Sequence, residues 1–72
     1  MATKLRDFRK SQDWTLDEMA ERIGSSPASL SRIENGEQWP GPEVVARIIE
    51  LSGGELSAGD VVAPALEKQA AA

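Results

Sequence analysis

Arg32 and Asn35, three residues apart and followed by Gly36, have the most to offer chemically in this chain. Arginine carries its N–H donors in a planar fork that fits a phosphate, a carboxylate or the two acceptors of a guanine edge. An asparagine amide both donates and accepts. Just upstream, Ser26, Pro27, Ala28, Ser29 and Ser31 contribute small surfaces and hydroxyls. This is binding chemistry, without a bond-making group. The chain has no histidine and no cysteine, which removes the imidazole base, the thiolate nucleophile and the usual zinc ligands. It has no Ser–His or Cys–His pairing and no Gly-rich phosphate loop. Asp17, Glu18 and Glu21 stand close together, but in the first turns of a helix, where acids suit the positive end of the dipole. The expectation is therefore no enzyme, no metal and no cofactor.

The elements that must position these residues are all helical. Val and Ile never alternate with polar residues at period two, so no strand is expected. The pattern predicts an all-α fold, a compact bundle of about five short helices. The first runs over about Thr3 to Gln12, with Leu5 and Phe8 on one side. The second opens on Thr15 and Glu18, a capping box in which each side chain satisfies a free backbone N–H. Leu16, Met19, Ala20 and Ile23 then follow at i, i+3, i+4 and i+7, an amphipathic stripe, until Gly24. Trp14 precedes the cap, in the position of a hydrophobic staple against Met19.

Two residues after Gly24 the third helix starts, with Ser26 as N-cap and Pro27 at the first helical position, where its missing N–H costs nothing. The stop and the start lie so close that the two helices must be joined by a tight turn. The third helix ends at Asn35 and Gly36. On a helical wheel Leu30 and Ile33 define its buried side, and Ala28, Ser31, Arg32 and Asn35 face the other way. Small Ala20 in the preceding helix allows a close, steep crossing. That is a helix-turn-helix, the arrangement that carries a second helix into a DNA major groove. The fourth helix begins near Pro42, shows Val44, Val45, Ile48, Ile49 and Leu51 as a broad apolar face, and stops at Gly53 and Gly54. A fifth fragment starts at Ser57 and Asp60 and is expected to break at Pro64, leaving ALEKQAAA to fray.

At 72 residues the chain allows one small domain, expected to bury only ~60% of its unfolded surface. The division read from the sequence is a domain over 1–63 and a tail over 64–72, frayed or in contact with a second copy. No segment is long and apolar enough for a membrane span, and none resembles a signal peptide, so a cytoplasmic protein is expected. The net charge of −4 argues against a nucleic-acid partner, but its distribution does not. The first 36 residues balance six cations against six acids, whereas the last 36 hold two cations against six acids. Such a molecule can still present one positive face.

The stretch T-L-x-E-M-A-x-x-I-G-S-S-x-x-S-L-S-R-I-E-N-G resembles the helix-turn-helix of the lambda-repressor and Cro-like family, the Xre type. The flanking LRDFRKSQDW and W-P-G-P-E-V-V-A-R-I-I-E-L-S-G-G-E-L-S-A-G-D-V resemble its first helix and its fourth and fifth elements. The resemblance covers roughly residues 3–62. It implies that the start of the third helix supplies the base contacts: Ser26, Pro27, Ala28, Ser29 and Ser31, with Arg32 as the main reader. Pro27 and Ala28 depart from the Gln-rich pattern of well-known members and cannot fork onto adenine; Ala28 can touch a thymine methyl. The resemblance implies phosphate contacts from Asn35 and the Gly36 backbone. The Thr15 hydroxyl at the start of the second helix is a further phosphate candidate, and Trp39 is read as a cap over the core, as lying on the DNA backbone beside Gly36, or as a dimer contact. Leu16 and Glu37 stand where relatives often hold a phosphate-gripping Gln and a cation. Arg9 and Glu34 occupy positions that pair in some relatives and tie the first helix to the end of the third.

The resulting expectation is a sequence-specific DNA-binding transcriptional regulator, a repressor, acting as a homodimer on a palindromic double-stranded operator with recognition helices ~34 Å apart. Dimer-surface candidates are Val45, Ile49, Leu56, Val61, Val62 and Leu66, each of which can equally complete the core. Two alternatives stand beside it. One is an antitoxin or phage-type adaptor that uses the fold to bind a second protein, in keeping with the acidic second half. The other is an activator that touches RNA polymerase.

Overall fold

The computed structural model describes residues 3–70. Among them are five helices and no strand: α1 (Lys4–Ser11), α2 (Leu16–Arg22), α3 (Pro27–Glu34), α4 (Pro42–Leu51) and α5 (Ala58–Ala70). The bundle measures 31 × 23 × 23 Å. One core holds it together, built from Leu5 and Phe8 of α1, Met19 and Ala20 of α2, Ile23, Leu30 and Ile33, Ile48 of α4, Leu56 and Val61. Burial of this set is the main favourable term in folding.

The helix starts follow their local chemistry. Thr15 Oγ1 accepts from the Glu18 N–H at 3.2 Å, and the Glu18 carboxylate accepts from the Thr15 N–H at 3.1 Å. Ser26 Oγ accepts from the Ser29 N–H at 3.1 Å, with Pro27 next in the chain. Ser57 and Asp60 form a second reciprocal box, at 3.0 and 3.2 Å. The Ser57 backbone N–H holds the Asp60 carboxyl below its ordinary value, with help from the Ser57 hydroxyl and Lys4.

Gly24, at φ +69°, turns the chain between α2 and α3. Its N–H donates to Glu21 O, and the Ser25 N–H reaches back to Ala20 O at 2.9 Å, so the free carbonyls of α2 are met inside the turn. α2 and α3 then pack extensively on each other, with Ala20 only 1% exposed. Ala20→Val is expected to overpack this site and to cost ~1–3 kcal/mol. Thermal unfolding checks it: an unchanged melting temperature would contradict a close crossing. Trp14 is half-buried against the core, edge-on to Phe8 with ring centroids 5.9 Å apart. The Arg22 guanidinium covers it, 4.5 Å from the ring centroid.

The expected break at Pro64 does not occur. α5 runs through Pro64 to Ala70, so residues 64–70 are helical rather than a frayed tail; residues 71 and 72 of that tail lie outside the described residues. A proline inside a helix deprives the carbonyl four residues back of its donor and costs ~3 kcal/mol in isolation. Here Val61, Pro64 and Ala65 are all buried, and α5 packs against α1, α3 and α4. Tertiary burial thus outweighs a local penalty that composition alone makes look decisive.

Two of the dimer-surface candidates are core residues instead. Leu56 is 3% exposed and Val61 is fully buried. A domain this small needs nearly every apolar side chain it has to close its core. Val45 packs partly on the same core. Ile49 and Val62 are half-buried, and Leu66 is 52% exposed.

Candidate nucleic-acid interface

The outward face of α3 is small and open. Pro27, Ala28 and Arg32 are exposed, and Ser29 and Ser31 are half-buried. Leu30 and Ile33 are buried on the opposite side, at 0% and 1% exposure. Ser26 is exposed, with its oxygen accepting the α3 cap bond. The Arg32 side chain has no ion-pair or hydrogen-bond partner among the described residues. A cation on a helix of small side chains can approach a concave, acceptor-rich surface closely.

Behind this face lies a charged network. Glu34 is 3% exposed. Arg9 grips it with two bonds: Nε donates to Oε2 at 2.7 Å and Nη2 donates to Oε1 at 3.1 Å. Arg9 Nη1 also donates to the Trp14 carbonyl at 3.1 Å. Arg6 joins from one turn earlier, its Nε donating to Glu34 Oε1 at 3.3 Å. Arg6 Nη2 donates to the Asn35 side-chain oxygen. The structure thus brings Arg9 and Glu34 together and adds Arg6, which the sequence reading missed. The available signal was spacing: Arg6 and Arg9 are i and i+3, so one helix face points both at the same acid. The network fixes α1 to the C-terminal end of α3, and with it the tilt of the exposed face.

The residues after α3 behave differently from the expectation. Gly36 is buried, its N–H donates to Ile33 O at 3.2 Å, and its carbonyl accepts from Gln69 Nε2 at 3.3 Å. It therefore offers no free backbone donor to a phosphate; its role is to let the chain pass against α5. Trp39 is 47% exposed, and its indole N–H donates to Gln69 Oε1 at 2.7 Å. That donor is likewise committed within the molecule, because the unbroken α5 carries Gln69 up to the loop. Glu37 faces Lys68 at 3.5 Å, an exposed pair worth little in itself. Asn35 stays exposed at the end of α3, and Thr15 stays exposed at the start of α2.

Among the described residues no group of three or more His, Cys, Asp or Glu side chains gathers as a metal site. Among them, too, no helix is long and apolar enough to cross a membrane.

Comparison with known proteins agrees with this geometry. A family model described as helix-turn-helix matches residues 5–57, from the core face of α1 to the cap of α5. A Bacillus subtilis (strain 168) protein described as "Uncharacterized HTH-type transcriptional regulator YvzC" is 44% identical over 42 residues. That match covers 58% of this chain and 54% of the relative, so the chain matches about half of that relative's length. No solved structure matches. With a capped α2, a glycine turn, a proline-started α3 and a family match over most of its length, this chain belongs to the Cro/C1-type, Xre-like helix-turn-helix family.

Proposed function

We propose that the protein binds duplex DNA and regulates transcription as a repressor, as a homodimer on a roughly palindromic operator, with α3 in the major groove. The observation that carries this reading is the exposed face of α3, where Arg32 stands unpaired among small side chains. Arg32 reads a guanine edge, Ala28 meets a thymine methyl, and Asn35 and Thr15 hold the backbone. The relative's description as a transcriptional regulator supports the same reading. Of the candidates for contact with a second copy, Leu66 is exposed and Val45, Ile49 and Val62 are half-buried. The protein works in the cytoplasm, as a binding protein and not an enzyme.

The test is selection from a randomised duplex pool at low and at near-physiological salt. Enrichment of a palindrome at the higher salt supports specific dimeric binding. Binding at low salt alone, with no motif, means contacts to phosphate only, and counts against the reading. Arg32→Ala is expected to leave folding intact and to cost ~1–3 kcal/mol of discrimination at one base pair per half-site. Wild-type selectivity in that variant would refute this docking.

A second reading has its own support: the acidic second half of the chain, together with exposed Trp39 and Leu66, suits an adaptor for a basic protein partner. Failure of the duplex selection would favour it.

A further inference from the structure

The Asn35 amide at the end of α3 has two faces, and its neighbour decides which one is offered outward. Arg6 lies against it: Nη2 donates to the Asn35 side-chain oxygen, and Nε donates to Glu34 Oε1 at 3.3 Å. A guanidinium has donors only. The atom facing it must therefore be the amide oxygen. The NH2 group of Asn35 consequently turns away from Arg6, at an exposed position. The Asn35 backbone N–H is already spent on Ser31 O at 3.0 Å, so the side-chain NH2 is what this residue has left to donate.

Arg6 is itself held. Its side chain is 30% exposed, and the carboxylate it grips is 2% exposed and fixed from the other side by Arg9. An arginine anchored at its Nε and aimed with its Nη2 is a rigid support, unlike a free surface cation.

We propose that Arg6 is a positioning residue for the DNA backbone contact: it locks the Asn35 amide with its NH2 turned outward, ready to donate to a phosphate oxygen. This rests on the DNA-binding reading above. Without Arg6 the amide turns about its last torsion and presents oxygen as readily as nitrogen, and an oxygen repels phosphate. The arrangement is preorganisation, in which the ordering cost is met on folding and not on binding.

The test has two arms on the full chain. In the free protein, the Asn35 side-chain ¹⁵N–¹H₂ resonances are followed by NMR in wild type and Arg6→Ala. A fixed amide in wild type that becomes mobile in Arg6→Ala is expected; identical resonances and relaxation overturn the proposal. In the second arm, affinity for the selected duplex is measured for Arg6→Ala, Asn35→Ala and the double variant, with melting temperatures alongside. Arg6→Ala is expected to weaken binding by about tenfold in the Asn35 background and hardly at all in the Asn35→Ala background. Fully additive losses mean that Arg6 acts by its own charge, and overturn the proposal.

Asn35→Asp guards against misfolding as an explanation. It keeps an acceptor against Arg6 but replaces the outward donors with a carboxylate oxygen and a negative charge, both of which repel phosphate, so it is expected to fold as wild type and bind at least about tenfold more weakly. Wild-type affinity in this variant also overturns the proposal. Absence of duplex binding by wild type itself sinks the DNA reading and this role with it, while the NMR arm still reports whether Arg6 orients the amide.

Discussion

Glu34→Ala is expected to remove a large share of the domain's stability, ~3–5 kcal/mol. Glu34 is 3% exposed and accepts three hydrogen bonds from two arginines. Removing it strands the Arg9 guanidinium, whose side chain is only 13% exposed, with no counter-charge. Breaking a buried ion pair from one side costs ~3–5 kcal/mol, because the remaining charge stays desolvated. A domain of this length has a total stability on the order of 4–10 kcal/mol, so the loss is a large fraction of it. Urea unfolding checks this: the midpoint is expected to fall steeply with little change in slope. Glu34→Gln, which keeps the shape and an acceptor, should lose less. A Glu34→Ala variant within ~1 kcal/mol of wild type would show that the network is decorative, a case that applies to exposed pairs.

Gly36→Ala is expected to be the most damaging glycine substitution in the chain, for two separable reasons. At φ +79° a Cβ strains the backbone, at roughly 1–2 kcal/mol. That Cβ would also overlap the Pro64 carbonyl, lying 2.8 Å from its carbon and 3.0 Å from Lys68 Cβ. The nearest obstructing atoms, those of the Pro64 carbonyl, are helix backbone, so relief requires α5 itself to move, and overpacking of this kind adds ~1–3 kcal/mol. Gly53→Ala separates the two terms, because Gly53 sits at φ +65° with nothing within 4 Å of where its Cβ would lie. Urea melts of the pair should show Gly36→Ala costing about twice as much or more. Equal costs would mean that α5 does not press on the end of α3.

The two variants probe opposite supports of one helix end. Arg6 and Arg9 of α1 hold Glu34 and Asn35 from one side. Pro64 and Gln69 of α5 close on Gly36 from the other. The exposed face of α3 therefore takes its angle from residues far away in the chain, and Glu34→Ala or Gly36→Ala should weaken DNA binding even though the face itself is untouched.

What could be read from the sequence was local. Thr15 with Glu18, Ser26 with Pro27, and Ser57 with Asp60 announce helix starts, because a cap satisfies N–H groups three residues ahead. Gly24 announces the turn, and the spacing of Leu30 and Ile33 leaves Arg32 on the open side. All of these depend on neighbours within about one helical turn. The Arg9–Glu34 pairing came from the family resemblance, not from spacing.

Tertiary structure decided the rest. Arg6 reaches Glu34 across 28 positions, Trp39 reaches Gln69 across 30, and Gln69 reaches Gly36 across 33. Local spacing puts Arg6 on the face of Arg9 but does not name the partner of any of these residues; the pairs form because the core folds the chain ends back onto α3. The same packing carries α5 through Pro64 against its propensity and draws Leu56 and Val61 inside. Hydrogen bonds between near neighbours determine where each helix of this protein begins and turns, whereas burial summed over the whole chain decides which donors and apolar side chains remain free to meet a partner.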